Sequence, residues 1–537
     1  MASQQAGRRA RHHKGRSSFM LPPACLLGLA LLMTALVLFG TTLKSHVLVT
    51  ADLRPHDVLW NLAQHRPRQQ EEARRRAIDY VQQYGALEGR EYPRECQDLY
   101  HGVAYFAHVQ ASWQQPVCEP QAGAALGTSL RCHYQFDKYS EMHCTATNLA
   151  LDIRKFEEED VLVPRETNNT GPTGLFEEHP RPGLKGELLG DCKLSGVSGG
   201  ANRWQESDFG KGGQRWLFNS FQSTLGDAQQ PHCLAWVEHP VYFLNDKYDS
   251  FNLWHALEDV SHAFEAYVLK GWGAEAQVVV MDGGTVASVL GPPYLPVWRK
   301  VFSPLRPPVL LRQMVAEARA RAGGNLPPQA ALCFRDAFFS VHGGISALSR
   351  SGSGPTPCVN STFIRAMSHF ITDGLGVTGV RPASRDASQV GLAGMRVVWG
   401  LRKNRADRQD EILDLLRREL PKQGIEVVAL DFGKLPLEEQ IRQVRSADLL
   451  AGYHGAALTL STFMDYPAAM IEVEQEWLCT CNGNCARWKG LDYRLIKVQD
   501  VPDSSMPGVL ATRVLEEAVA ALRVQAYAAS FCTVHGE

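Results

Sequence analysis

The sequence predicts an α/β protein of two lobes facing a cleft, carried behind a membrane anchor and a stem. Three observations predict it. Apolar runs of strand length alternate with amphipathic helical runs on both sides of a Gly/Ser/Pro/Arg-rich break at residues 381–394. A long uncharged apolar segment follows a basic N-terminus. The apolar run "DLLAGY" ends in the polar turn Tyr453-His454-Gly455-Ala456-Ala457 and passes into a helix-like pattern, the layout of a phosphate site.

The first 16 residues hold five Lys/Arg and no acid, so residues 1–18 read as a cytoplasmic tail. Phe19–Leu43 carries no charge and, as a helix, exceeds the roughly 30 Å of a bilayer core. A cleaved signal peptide has a shorter apolar region, about 7–15 residues. The expectation is a single-pass type II signal anchor with everything after it in the secretory lumen. The Arg/Gln/Glu-rich residues 44–92 read as a partly helical, solvated stem. Of 13 cysteines one, Cys25, lies in the anchor; the other twelve are an even number, as disulfides in an oxidising compartment require. Asn168 and Asn360 begin N-glycosylation sequons. The formal charge of −2 over 537 residues gives no reason to expect nucleic acid as a partner.

Residues 93–380 form the expected first lobe. Its start is dense in cysteine, and "CLAWVEHPVYFL", "SFNLWHALEDVSHAFEAYVLKGW" and "AQVVVMDG" read as strand, helix and buried strand. Residues 395–505 form the second. There "MRVVWGL", "IEVVALDF", "DLLAGY" and "AAMIEVE" read as strands, with helical runs between the first three. That alternation predicts a parallel sheet, whose ligands bind at the carboxyl ends of the strands. Residues 506–537 hold a terminal helix, free to return to the first lobe.

At the turn, the first N–H groups of the following helix lack partners inside it and face the strand ends with the positive end of the dipole. Gly455 and Ala456 allow close approach of a phosphate, and His454 can donate to it; an ordinary strand-to-helix turn is the other reading. Neither G-x-G-x-x-G nor a P-loop is present here. Arg402 and Arg405 follow the first strand of the same lobe, and a planar guanidinium suits phosphate oxygens. Glu472, in an apolar strand, can accept from two ribose hydroxyls or pair with an arginine.

In the first lobe's helix, Leu253, Leu257, Val260, Phe264 and Tyr267 share a core stripe. Asn252, His255, Asp259 and His262 share another that holds no Lys or Arg, which reads as a cleft lining. His255 and Asp259 are four apart and can touch, so either can take a proton from an acceptor hydroxyl, with Asn252 beside them. A buried polar network is the alternative. Cys479, Cys481 and Cys485 have no zinc-site spacing and read as disulfide cysteines. No D-x-D pattern offers a convincing cation site, so no metal is expected.

Together these motifs resemble glycosyltransferase family 61. The resemblance rests on "CLAWVEHPVYFL" with "FNLWHALEDV", on "GYHGAALT", on "IEV", on "LRKNR" and on the early cysteine pair before Asn148-Leu149. It covers roughly residues 96–500. Cys-x-x-Trp-Val-Glu-x-Pro at 233–240 and "RWKGLDYRL" at 487–495 are similar to the plant-type core β-1,2-xylosyltransferase branch and add Lys489 to the donor side. The resemblance implies a GT-B-like pair of Rossmann-like lobes, an inverting mechanism, a metal-independent UDP-sugar site, and a Golgi membrane location with the catalytic part lumenal. The implied donor is UDP-xylose and the implied acceptor the core β-mannose of N-glycans on glycoproteins. Relatives using UDP-GlcNAc or UDP-arabinose share the same turn. A non-catalytic lumenal glycan-binding protein is the reading from another class.

Overall fold

The computed structural model describes residues 76–86, 102–112, 116–135, 141–156, 188–194, 221–224, 230–244, 252–281, 290–323, 326–339, 348, 356, 358–378, 391–403, 406, 408–475 and 479–535. The expected anchor, Phe19–Leu43, lies outside them, as do Arg405 and Asn168. Among the described residues no helix is long and apolar enough to cross a membrane. The fold is mixed α/β, with parallel strands in both of its sheets.

The second sheet is built from β12 (Arg396–Gly400), β13 (Glu426–Leu430), β14 (Leu449–Tyr453), β15 (Ala469–Glu474) and β16 (Asp492–Lys497). All neighbours are parallel, in the order β13-β12-β14-β15-β16. β14 and β15 are buried along their whole length because helices cover both faces, which is why they read as continuous apolar runs. The order reverses between β12 and β14, the point where doubly wound sheets bind ligands. There Gly400 and Gly452 are register partners, and a Cβ on Gly452 would lie 3.1 Å from the Gly400 carbonyl oxygen.

The first sheet has eleven described strands and is mixed. Its parallel part joins β7 (His232–Val237), β8 (Val241–Leu244), β9 (Gln277–Val280) and β10 (Val309–Leu310) through β11 (Ala330–Phe339). β11 runs antiparallel to β3 (Glu141–Asp152), which continues into β2 (Ser129–Gln135) and β1 (Pro116–Pro120). Disulfides tie strand to strand: Cys132–Cys144 between β2 and β3, Cys233–Cys333 between β7 and β11, and Cys118–Cys192. Cys233–Cys333 closes a sequence separation of 100. Serine at both positions is expected to cost about 2–5 kcal/mol of stability, read as a lower denaturant midpoint.

One apolar core is shared by both sheets. It joins α3 (Leu253–Lys270) and α5 (Thr362–Leu375) to Leu458, Met470 and Trp488 of the second sheet's side. Two expectations change. Part of the expected solvated stem is α1 (Ala77–Gly85), whose Ala77, Tyr80 and Val81 are buried against α5 and α3. Their i, i+3, i+4 spacing makes an apolar stripe that the surrounding charges conceal. The terminal helix Val509–His535 does not return to the first sheet; Leu510, Val514, Ala518 and Leu522 pack on the second.

Candidate active site

The site is built at the carboxyl ends of β12 and β14. After β12, the backbone at Arg402 is held by Gln409, the first residue of α6 (Gln409–Glu419). Gln409 Oε1 accepts from Arg402 N at 2.9 Å and from Trp399 Nε1 at 3.3 Å, and Nε2 donates to Arg402 O at 3.1 Å. The guanidinium then crosses to the other strand end: a Cβ on Gly455 would sit 3.3 Å from Arg402 Nη1 and 3.4 Å from Cζ. A side chain at Gly455 would crowd the guanidinium and shift it by a few tenths of an ångström. Beyond Gly455 the chain forms a 3-10 helix, Ala456–Phe463, not an α-helix. Its β-branched Thr459 and Thr462 disfavour the α form. Ala456 is its first residue, and the first N–H groups of such a helix find no partner within it.

His454 is buried at 9% exposure. Its Nδ1 lies 2.6 Å from Glu472 Oε1. A carboxylate accepts and cannot donate, so this contact puts the proton on Nδ1 and aims Nε2 away from β15. Nε2 lies 4.0 Å from Cys479 Sγ, and Cys479 is disulfide-bonded to Cys481. Cys485, expected to be disulfide-bonded too, is instead a buried free thiol pushed up to about 12 by burial.

Glu472 does not present free oxygens to a ribose, as the sequence reading had it. It is 1% exposed, and besides His454 it accepts from Asn482 Nδ2 at 2.9 Å and from Tyr493 Oη at 2.7 Å. Burial and the Glu472 carboxylate hold the Tyr493 phenol above its ordinary range, so it keeps its proton and donates. Glu472 therefore orients His454. Asn482, Tyr493 and Gln409 were missed in the sequence because each acts through a residue distant along the chain.

Lys489 is also placed differently. It is buried between the sheets, its Nζ donating to Ser368 Oγ of α5 at 3.1 Å. Burial lowers it to about 8, against about 10.4 in an unfolded chain. At pH 7 the amine is charged in both states, and folding carries the desolvation cost. Between those values the folded state sheds its proton first, so stability rises with pH there. Lys489→Met is expected to raise the urea midpoint at pH 7 and to flatten that rise.

On the first-sheet side, α3 carries the expected core stripe: Leu253, Leu257, Val260, Phe264 and Tyr267 are all buried. The polar stripe behaves otherwise. Asn252 caps the helix, its Oδ1 accepting from Trp254 N at 3.1 Å. Asp259 and His262 are 4% and 1% exposed, so they do not line an open cleft. The stripe lacks Lys and Arg because α1, a helix at Val103–Ser112 and the 3-10 helix pack around α3. The expected His255–Asp259 contact is replaced by His255–Glu258, with Nδ1 2.8 Å from Glu258 Oε2. The His255 side chain is 21% exposed and that of Glu258 2%. Glu258 and Glu472 both push up the Cys485 thiol, and α3 touches the 3-10 helix after Gly455. The helix that carries the His255 pair thus packs against the 3-10 helix that follows the His454 turn.

Residues 345–471 match the model of the family Glycosyltransferase 61. The matched family segment contains Arg402, His454, Gly455 and Ala456 and stops one residue before Glu472. The chain is also similar to the EGF domain-specific O-linked N-acetylglucosamine transferase of Mus musculus, 24% identical over 411 residues that cover 74% of this chain and 67% of the relative. The protein of that name from Drosophila melanogaster is 23% identical over 434 residues, covering 75% of this chain and 69% of the relative. Both alignments are long enough to include parts of both sheets. Asn360, the described sequon, is exposed, as a glycan acceptor must be.

Proposed function

We propose that the protein is an inverting, metal-independent transferase of GT-B-like architecture that moves a sugar from a UDP-sugar to a glycan hydroxyl. One observation carries this: the Arg402 guanidinium lies over Gly455, beside His454, where the strand order reverses. The Arg402 guanidinium, the N-terminus of a 3-10 helix and the His454 ring, whose Nε2 donates only when the ring carries both protons, meet at the strand ends. That arrangement fits a diphosphate and offsets charge on a UDP leaving group without a cation. His255 takes the acceptor proton. The acceptor oxygen attacks the anomeric carbon as the bond to the diphosphate breaks, and the configuration inverts.

For the donor, the phrasing at 233–240 and 487–495 supports UDP-xylose and the core β-mannose of an N-glycan as acceptor. Both similar proteins are named as N-acetylglucosamine transferases, which supports UDP-GlcNAc and a protein acceptor as the second reading. Asn168 and Asn360 carry glycans in this account, and the protein is a Golgi type II membrane protein whose catalytic part is lumenal. The test offers the purified protein UDP-xylose, UDP-GlcNAc and UDP-arabinose, with N-glycan and EGF-domain acceptors, in excess EDTA. Transfer of xylose to the N-glycan core, unchanged by EDTA, is the expected result. Transfer of GlcNAc to protein favours the second reading. No transfer from any donor overturns the proposal, and activity lost to EDTA and restored by manganese overturns metal independence.

A further inference from the structure

We infer that Glu258 is the positioning residue of the acceptor-side base, holding the His255 ring so that its outer nitrogen takes the proton. This rests on the reading of His255 as that base. The geometry is specific. Glu258 Oε2 lies 2.8 Å from His255 Nδ1, so the carboxylate accepts the Nδ1 proton and Nε2 is left as the basic nitrogen. The carboxylate is almost wholly buried while the imidazole keeps 21% of its surface. The pair therefore runs from a buried carboxylate to a ring that reaches solvent.

Sequence spacing pointed at Asp259, one turn from His255. The ring turns instead to the residue three positions on, at the other permitted helical spacing. Burial raises the Glu258 carboxyl above its ordinary range, and the contact with His255 opposes that shift. A buried carboxylate without a partner is costly; here the imidazole is one partner and the Trp254 side chain a second, and the imidazole becomes a better one when protonated. In the transfer step the acceptor O–H bond breaks and its proton moves to His255 Nε2. The oxygen forms the new bond to the anomeric carbon, and the C–O bond to UDP breaks with its electrons going to the diphosphate. The imidazolium formed is stabilised by Glu258 through Nδ1–H, and its Nε2 proton passes to solvent at the end of the turnover.

The experiment compares wild type, Glu258→Gln, Glu258→Asp and Asp259→Asn by steady-state kinetics, UDP calorimetry and ¹⁵N spectra of histidine-labelled protein. The His255 signals are assigned with His255→Gln. Expected for Glu258→Gln is a fall in kcat of about 10²-fold or more, the scale of lost base assistance, with UDP affinity unchanged. Wild type should show the His255 Nδ1–H tautomer, and Glu258→Gln should lose it. Glu258→Asp, which keeps a carboxylate, should recover part of kcat. The inference is overturned if Glu258→Gln keeps wild-type kcat. It is equally overturned if the wild-type ring carries its proton on Nε2, a readout that holds even if a Glu258 variant fails to fold. Loss of kcat in Asp259→Asn but not in Glu258→Gln would restore the other pairing. If His255→Gln itself transfers sugar at the wild-type rate, the fault lies in the choice of base and not in Glu258 alone.

Discussion

Replacing His255 by alanine is expected to cut turnover by about 10²–10⁴-fold, the range for general acid–base catalysis. UDP affinity should stay at the wild-type level. His255 sits on α3, in the first-sheet half, and its Nδ1 is engaged by Glu258. The turn that is assigned the diphosphate belongs to the second sheet. An acceptor-side base contributes only when the acceptor oxygen is attacking, so its loss falls on kcat and on kcat/KM together. Calorimetry with UDP beside steady-state kinetics separates the two effects. A variant with intact kcat and weakened UDP binding would reverse the assignment of the two halves.

The second large effect is expected on the other side. Arg402→Ala should weaken UDP binding by roughly tenfold to a hundredfold, because a hydrogen bond to a charged group is worth about 1.5–3 kcal/mol. The fold should survive: the Arg402 position is fixed through its backbone by Gln409, which alanine retains. Glu472→Gln should weaken UDP binding too, although Glu472 reaches no ligand in this account. Glutamine still accepts from Asn482 or Tyr493 yet no longer offers a carboxylate to His454 Nδ1. The decisive comparison is UDP against UMP. Both variants should lose more affinity for the diphosphate than for the monophosphate, and equal losses on both ligands would place Arg402 and His454 elsewhere than on the second phosphate.

Much of the second sheet was legible in the sequence. β12, β14 and β15 are short and buried on both faces, so they stand out as apolar runs between amphipathic helices; the edge strand β13 is only half-buried but keeps an apolar run, and the turn after β14 falls where it was read. β16, with its exposed Leu495 and mixed pattern, did not stand out. The meander of β1, β2 and β3 was hidden as well, because it is defined by long-range pairing and disulfides more than by periodicity. In the proposed site, the residues that sequence singled out by position within a motif are His255, Arg402, His454 and Gly455. Their partners were not. The Glu258 contact needs the rotamer of His255, and the Glu472 network needs Asn482 and Tyr493 folded back from α8 (Cys481–Trp488) and β16. A buried helix also looks like a cleft wall on paper, since both lack charge; α3 became distinguishable only once α1 and the 3-10 helix were packed against it.

The central claim is that the turn at His454 and Gly455 holds the diphosphate of a UDP-sugar. The most direct measurement is thermal unfolding of the purified protein with and without UDP. A ligand at 100 times its dissociation constant adds about 2.7 kcal/mol to the folded state. The expected result is a rise in melting temperature that grows with UDP concentration in wild type and in His255→Ala, and that needs roughly tenfold to a hundredfold more UDP in Arg402→Ala. A melting temperature indifferent to UDP, in a protein whose melting temperature rises with free N-glycans, would contradict it and leave a glycan-binding protein without a donor site.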